Sequence, residues 1–146
     1  MDMVNNTMII TRNSMEEIYR QVKEAYPNEC CGILLGRTKD VDEIKAVENI
    51  NKDRLRDRYE MSPRGIYEID KYARAKGFGI IGFYHSHPDH PAYPSAFDKE
   101  MAVDGYIYLI VSISLEGTLK ARAWLFEKKC DHFLELKITV VKKNGH

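Results

Sequence analysis

The sequence lacks an excess of charge of either sign. Its 146 residues include 22 Lys and Arg against 22 Asp and Glu, so the formal net charge at pH 7 is zero. A protein that binds DNA or RNA through phosphates needs a basic surface, and one held at an anionic membrane needs a polybasic segment. The balance therefore argues against nucleic acid and membrane partners, and it favours a protein or a small molecule as the partner.

Long hydrophobic runs are also missing. The longest apolar stretches, 79–84 and 106–111, are far shorter than the roughly 20 residues that cross a bilayer as a helix. Residues 1–6 have neither a basic segment nor an apolar one, so we expect no signal peptide.

Cysteine is scarce, with only Cys30, Cys31 and Cys130 in the chain. An odd number of cysteines, two of them adjacent, gives no disulfide framework, and their spacing is not that of a paired zinc finger. We therefore expect small buried cysteines and a reducing, cytoplasmic setting.

The residues that are present suffice for one hydrophobic core. The chain is 44% hydrophobic and 30% charged, which is typical of a soluble globular protein, and its length fits one domain. Neither an internal repeat nor a Pro/Gly/Ser-rich linker divides it. The sequence predicts a single domain over 1–146, with 142–146 as a frayed tail.

Helix and strand patterns alternate early in the chain, and strands cluster late. The Ser-Met-Glu-Glu run at Ser14 predicts a helix start by its capping-box pattern, and Pro27 stops that helix. A second helix is predicted from the cap Ser62 to Gly77. The predicted strands are 32–36, 44–50, 79–84, 106–115, 119–125 and 134–140; residues 51–60 are predicted as a loop, and Ser95 is predicted to cap a short helix that ends near Gly105. This order favours a mixed α/β sheet flanked by helices.

Two histidines stand two residues apart at the end of a predicted strand. His85 and His87 would then point to the same side of the sheet. Asp98 falls in the first turn of the short helix after Ser95, so a loop that folds back could bring its carboxylate beside them. Two histidines and one carboxylate, with an open fourth position, form the ligand set of a catalytic zinc site. The alternatives are partly exposed histidines at a strand end and a helix cap without further role.

A zinc-bound water also needs a base to take its proton, and a positioned glutamate can do so. Spacing alone does not choose among the 12 glutamates of the chain. Glu29 stands where the first helix ends and the buried strand begins, so it could project over a neighbouring strand end. A solvated glutamate at a helix end is the alternative.

These residues resemble the signature of the JAMM/MPN+ zinc metalloproteases. The run His-Ser-His-Pro at 85–88, followed by Ser95 and Asp98, is similar to the metal motif of that family, and Pro-Asn-Glu-Cys-Cys-Gly at 27–32 is similar to its Pro-x-Glu-x-Cys-Gly element. The resemblance implies a cytidine-deaminase-like α/β/α sandwich with a mixed, mostly antiparallel central sheet flanked by helices. It also implies one Zn²⁺ per chain, bound by His85, His87 and Asp98. Glu29 would be the general acid/base, and Ser95 would donate a hydrogen bond to the oxyanion.

The resemblance further implies a peptidase or isopeptidase that cuts after the C-terminal Gly-Gly tail of a small ubiquitin-like or sulfur-carrier protein. The chain is short and resembles the compact prokaryotic type, without room for long substrate-clasping insertions. The segment 51–61 could flank the tail, or it could be a solvated charged loop. A non-catalytic MPN scaffold is the alternative, but such scaffolds normally lack the metal ligands. A zinc deaminase would need His-x-Glu and Pro-Cys-x-x-Cys, which are absent. The exact substrate, the choice between peptide and isopeptide bonds and the oligomeric state stay open.

Overall fold

The computed structural model describes residues 6–142, which form seven strands and three helices. In chain order the elements are β1 (Thr7–Thr11), α1 (Arg12–Ala25), β2 (Cys31–Arg37), β3 (Asp40–Val47), α2 (Pro63–Ala75), β4 (Gly79–Pro88), α3 (Ala96–Met101), β5 (Ile107–Ile113), β6 (Leu119–Glu127) and β7 (His132–Val141). Beyond Lys142, the tail predicted to fray lies outside the described residues. No helix within 6–142 is long and apolar enough to cross a membrane.

The strands form one sheet that closes on itself as a barrel in the order β1-β3-β2-β4-β5-β6-β7, because β1 pairs with both β3 and β7. The pairs β1–β3, β1–β7 and β4–β5 are parallel, and the other four pairs are antiparallel. The prediction of a mixed, mostly antiparallel sheet with helices is thereby confirmed. The cytidine-deaminase-like sandwich and the single-domain boundaries stay predictions.

Two apolar clusters lie on opposite faces of the sheet around β2. Leu34 packs in the cluster that contains Ile18 of α1, whereas Ile33 and Leu35 pack in the cluster that contains Ala73 of α2. Successive residues of a strand point to opposite faces, so α1 and α2 cover opposite sides of this part of the sheet. Burial on both faces makes β2 and its neighbour β4 the rigid centre from which the site extends.

The first helix begins earlier than its capping-box pattern predicts. Its N-cap is Thr11, whose hydroxyl accepts a hydrogen bond from the Ser14 N–H at 3.3 Å, and Ser14 is a buried residue of the first turn. Glu17 forms an ion pair with Arg20 on the helix surface. The prediction of Ser14 as the cap is wrong because β1, a strand that no pattern indicated, leads straight into the helix.

The other elements differ from their predictions mainly in extent. Ser62 caps α2, as predicted, by accepting from the Gly65 N–H at 2.9 Å. The hairpin partner β3 lies a few residues earlier than 44–50, and α3 ends at Met101, short of Gly105. The extension of β4 to Pro88 matters most, since it places both histidines inside a strand instead of after it.

Candidate functional site

One strand and one short helix bring the three predicted metal ligands together. His85 and His87 project from β4, and Asp98 lies in the first turn of α3. The two histidine Nε2 atoms are 3.2 Å apart, and Oδ2 of Asp98 lies 3.3 Å from Nε2 of His85 and 3.1 Å from Nε2 of His87. The exposed fractions of the three side chains are only 1%, 7% and 8%.

The spacing of these three atoms fits a single metal ion. Ligands placed tetrahedrally at the usual zinc distances lie roughly 3.3 Å from one another. Imidazole nitrogen and carboxylate oxygen are both zinc donors. His85, His87 and Asp98 could therefore hold a metal ion, and within the described residues no fourth protein ligand joins the group. The arrangement leaves a coordination position for water or substrate.

Contacts behind the histidines fix their rings. Nδ1 of His87 lies 2.8 Å from the carbonyl oxygen of Pro91, so a protonated Nδ1 donates there and leaves Nε2 as the acceptor for a metal. His85 stacks on Tyr59, with 4.4 Å between ring centroids and 25° between planes. Its Nδ1 is buried without a hydrogen-bond partner in the described part of the chain. The orientation of His85 thus depends on packing, and that of His87 on a hydrogen bond.

Asp98 is held by the capping box of α3. The Ser95 N–H donates to Oδ2 of Asp98 at 2.9 Å, and the Asp98 N–H donates to the Ser95 hydroxyl oxygen at 3.0 Å. Burial alone would raise the pKa of Asp98, but His85, His87 and the Ser95 N–H together lower that pKa far below its ordinary value. Asp98 is therefore an anion across the useful pH range. The Ser95 hydroxyl acts only as an acceptor in the cap, so its own proton stays available to donate.

Glu29 lines the same cavity as His87 and Ser95, a space of about 420 Å³ between the loop 51–60 and α3. The residue is 6% exposed, and its Oε1 is buried with no hydrogen-bond partner in residues 6–142. Burial, together with the negative charges of Asp98 and Asp57, raises the pKa of Glu29 to about 9. A divalent cation among the ligands would favour the carboxylate form instead. A carboxyl group so placed can hold a proton or release one.

The register between β2 and β4 explains why Glu29 lies beside the histidines. Cys31 stands opposite His85 in this antiparallel pair. The buried Ser86, between the two histidines, accepts from the Cys30 N–H at 2.9 Å through its hydroxyl and donates its own N–H to the Cys30 carbonyl at 3.1 Å. The His-Ser-His run thus supplies two ligand candidates and, through Ser86, an anchor for the segment that carries Glu29.

A buried amide, Asn49, joins the Glu29 segment to the loop 51–60. The four hydrogen bonds of its side chain run to the carbonyl oxygens of Arg58 (2.9 Å) and Glu29 (3.5 Å), and from the N–H groups of Asn51 and Glu60 (3.0 Å each). All the donor and acceptor positions of this amide are therefore used. Asn49 is not among the predicted site residues, because it belongs to no motif and lies within the predicted strand 44–50.

The loop 51–60 forms one wall of the cavity and is not merely solvated. Tyr59 covers His85, the guanidinium of Arg54 pairs with Asp57, and the guanidinium of Arg58 lies 4.4 Å from the ring centroid of Phe97 in α3. The loop prediction is confirmed, but the roles of Tyr59 and Arg58 were missed because charge pattern alone does not show which side of a loop faces a site.

The fold and the ligand group are together typical of proteins that could hold one metal ion beside a strand of a closed mixed sheet. The chain belongs to the prokaryotic homologues of the JAB domain, whose family model matches residues 11–127. The resemblance to JAMM/MPN+ proteins is thereby confirmed.

Curated relatives are similar over most of their length. A protein named desampylase from Haloferax volcanii is 31% identical over 145 residues, covering 94% of this chain and 99% of the relative. A probable TtuB-protein conjugate cleaving protease from Thermus thermophilus is 28% identical over 118 residues, covering 81% of this chain and 75% of the relative. These homologues indicate a hydrolase of the JAB family.

Solved structures share the fold. The solution structure of a protein from Desulfitobacterium hafniense has a TM-score of 0.80 at 31% identity and covers 93% of this chain and 94% of its own. The crystal structure of a JAB1/MPN domain protein from Archaeoglobus fulgidus has a TM-score of 0.53 at 20% identity, covering 90% of this chain and 99% of its own. At that identity the second likeness concerns the fold alone.

Proposed function

We propose that this protein is a zinc-dependent metallopeptidase or isopeptidase. It hydrolyses the bond after the C-terminal Gly-Gly tail of a small ubiquitin-like or sulfur-carrier protein. The observation that carries the proposal is the group of three ligand atoms, 3.1–3.3 Å apart, beside a cavity into which the carboxyl of Glu29 faces without a partner. The relatives named desampylase and TtuB-conjugate protease support the substrate class.

In this mechanism His85, His87 and Asp98 hold one Zn²⁺ per chain. When bound, Zn²⁺ supplies a Lewis acid for the scissile carbonyl and lowers the pKa of water to about 7. Glu29 accepts the proton of the attacking water on its carboxylate, then returns that proton to the departing amine. The products are a carboxylate on the Gly-Gly tail and a free amine, which balances the water consumed.

Ser95 assists by donating its free hydroxyl proton to the carbonyl oxygen as negative charge develops there. The capping box supports this role, because the Asp98 N–H bond to the Ser95 oxygen fixes the hydroxyl at the mouth of the cavity. Loss of one such donor typically slows an enzyme by roughly 10²-fold or more.

A glycine-rich tail suits the shape of the cavity. The space is lined by His87, Ser95 and Tyr93 beside Glu29, and a tail without side chains can approach such a group of residues closely. Exposed backbone of such a tail can also pair with backbone at the wall of the site. The intact ligand group and the buried Glu29 argue against a scaffold role, since a scaffold gains nothing from a buried carboxyl that lacks a partner.

The test uses small β-grasp carrier proteins from the same genome, each ending in Gly-Gly plus one further residue or joined through Gly-Gly to a lysine of a peptide. Zinc-loaded protein should release the group after Gly-Gly, as read by mass spectrometry. A chelator should abolish release, and added zinc should restore it. Reducing buffer is used because the three cysteines are unpaired, in line with the cytoplasmic setting that we predict. Cleavage that survives full metal removal would contradict the metallopeptidase mechanism, and failure to cleave any carrier would contradict the substrate class.

A further inference from the structure

Arg58 is a half-buried cation at the edge of the candidate site. Its backbone carbonyl accepts from Asn49, whose amide also reaches the Glu29 carbonyl, so the backbone of Arg58 is fixed beside that of Glu29. Its side chain lines the cavity that Glu29 and Ser95 also line, with the guanidinium over the ring of Phe97. The backbone of Arg58 is thus held near that of the proposed acid/base, and its side chain is held in the wall of the same cavity.

After the hydrogen bond from Arg54, the positive charge of Arg58 helps to lower the pKa of Asp57, but within residues 6–142 no carboxylate forms an ion pair with the Arg58 guanidinium. Among the described residues its guanidinium forms neither an ion pair nor a side-chain hydrogen bond. The other arginine of the cavity, Arg54, is matched by Asp57, with Nε of Arg54 2.9 Å from Oδ1 of Asp57. A guanidinium that stacks on an aromatic ring keeps its N–H donors free in the plane of the group, which is the geometry that receives a carboxylate with two parallel hydrogen bonds.

We propose that Arg58 is a specificity-determining residue that binds a carboxylate of the substrate on the leaving-group side of the scissile bond. This inference rests on the proposed function. Glu29 returns its proton to the leaving amine, and Arg58 lines the same cavity from the backbone segment that Asn49 joins to Glu29, which assigns its cation to that half of the substrate. In a one-residue C-terminal extension, the α-carboxylate is two bonds from the leaving nitrogen. In a lysine conjugate, the side-chain carboxylate of an acidic residue next to the lysine could bind Arg58 instead.

The first arm of the test compares two peptides that end in Gly-Gly-Ala, one with a free C-terminal acid and one with a C-terminal amide. The peptides differ in one charge only. Wild-type protein should cleave the acid with a kcat/KM roughly 10-fold or more above that of the amide, mainly because its KM is lower. A factor of roughly 10 corresponds to the usual free energy of one charge-assisted hydrogen bond. Arg58→Gln should abolish this preference, so that its kcat/KM values for the acid and the amide become equal, and Arg58→Lys should restore part of the preference.

Arg56→Gln is the matched control. Arg56 belongs to the same loop and carries the same charge, but it lines a separate depression with Pro88 and Asp89 instead of the cavity with Glu29. This variant should keep the full preference for the acid. If Arg56→Gln reduced the preference as much as Arg58→Gln, the effect would be the net charge of the loop, and the assignment of Arg58 would be overturned.

The second arm identifies the source of the carboxylate. Gly-Gly is joined to the lysine of a peptide in which the next residue is either Asp or Asn. An Asp preference that Arg58→Gln removes assigns the site to a side-chain acid of a conjugate, and an acid-over-amide preference assigns it to a C-terminal residue. Absence of both preferences in wild-type protein overturns the inference.

The third arm separates this inference from the proposed function. Zinc-loaded Glu29→Gln protein, with and without Arg58→Gln, is titrated with the acid and amide peptides, and binding is measured by calorimetry. Tighter binding of the acid that depends on Arg58 supports the carboxylate site even if no peptide is cleaved. Equal binding of the acid and the amide, together with equal binding of the Asp and Asn conjugates titrated in the same way, overturns it, whether or not the wild-type protein proves to be a peptidase.

Discussion

The two halves of the site are built in opposite ways. The ligand half, from His85 to Asp98, comes from 14 consecutive residues, and its three candidate ligand atoms contact one another, although Nδ1 of His85 has no partner in the described part of the chain. The glutamate half brings Glu29 together with Asn49 and the loop 51–60, and it leaves a buried carboxyl oxygen without a partner. The first half could hold a metal ion, and the second places a buried carboxyl group beside it.

The two halves also differ in the protonation of their carboxyl groups. Asp98 carries its charge at every relevant pH, whereas burial raises the pKa of Glu29 to about 9 and makes its charge depend on what lies nearby. Groups that hold a metal are stabilised by mutual contacts, and a group that must exchange protons is left responsive to its surroundings. Substitutions in the two halves should therefore change different quantities.

The largest effect is expected from Asp98→Asn or His85→Ala in the ligand half. Wild-type protein should carry about one zinc per chain, and either variant should lose most of it together with nearly all turnover. Zinc at 100 times its Kd should stabilise wild-type protein against unfolding by about 2.7 kcal/mol and should hardly stabilise the variants. Metal analysis and thermal unfolding with and without zinc measure both effects.

A second possible metal-binding group, Glu127, Cys130 and His132, lies at the more exposed turn between β6 and β7. Cys130→Ser is therefore the control, and it should leave zinc content and turnover unchanged. Full zinc occupancy in Asp98→Asn together with its loss in Cys130→Ser would contradict the ligand assignment.

Glu29→Gln should break the glutamate half alone. In the absence of a cation the side chain is already neutral at pH 7, because its pKa is raised to about 9, so a glutamine of the same shape should fold and bind zinc normally. Loss of the proton carrier should lower kcat by roughly 10²- to 10⁴-fold. Steady-state kinetics on zinc-loaded protein tests this, with the exposed Glu16→Gln of α1 as control. If Glu29→Gln kept the wild-type kcat, another residue would have to be the base. If it also lost zinc, Glu29 would be needed for metal binding, and the two halves would not be independent.

The contrast also explains which parts could be predicted from sequence. Strand alternation and the cap at Ser95 are local rules, so the sequence predicts that His85, His87 and Asp98 share one site, and the structure places them together. The identity of Gly32 in the Glu-Cys-Cys-Gly run has a packing reason that the sequence does not show: a Cβ at this position would lie 2.1 Å from the ring of Tyr84 in β4. Only the paired strands reveal that contact.

The glutamate half and the barrel closure depend on contacts distant in sequence. Glu29 was selected by its place before a strand and by the resemblance, not by any sign of Asn49. The strand β1 was missed because its five residues owe their strand conformation to pairing with β3 and β7, and the same pairing closes the barrel. Propensity cannot show a pairing whose partners lie about 30 and 130 residues away.

Asn49→Ala should have a smaller effect than the substitutions above, and it tests how much Asn49 contributes to stability and to the position of Glu29. The change removes two N–H donors and the one oxygen that accepts two hydrogen bonds, and it leaves the Arg58 carbonyl and the Glu60 N–H without these partners. We expect a loss of about 1–3 kcal/mol in the free energy of unfolding. A displacement of Glu29 should lower kcat by roughly 10-fold, since small misplacements of a catalytic group are costly. Zinc content should not change, because no ligand contacts Asn49.

Asn49→Asp gives the sharper comparison with the ligand half. It keeps the oxygen that accepts from Asn51 and Glu60 but replaces the donor to the carbonyls of Arg58 and Glu29 with a second acceptor. If Asn49 acts by positioning Glu29, kcat should fall at least as far in Asn49→Asp as in Asn49→Ala, and zinc affinity should match that of the exposed control Asn13→Ala. A parallel loss of zinc affinity and kcat would mean that the loop also holds His85 in place through Tyr59, and the two halves would then form one cooperative unit.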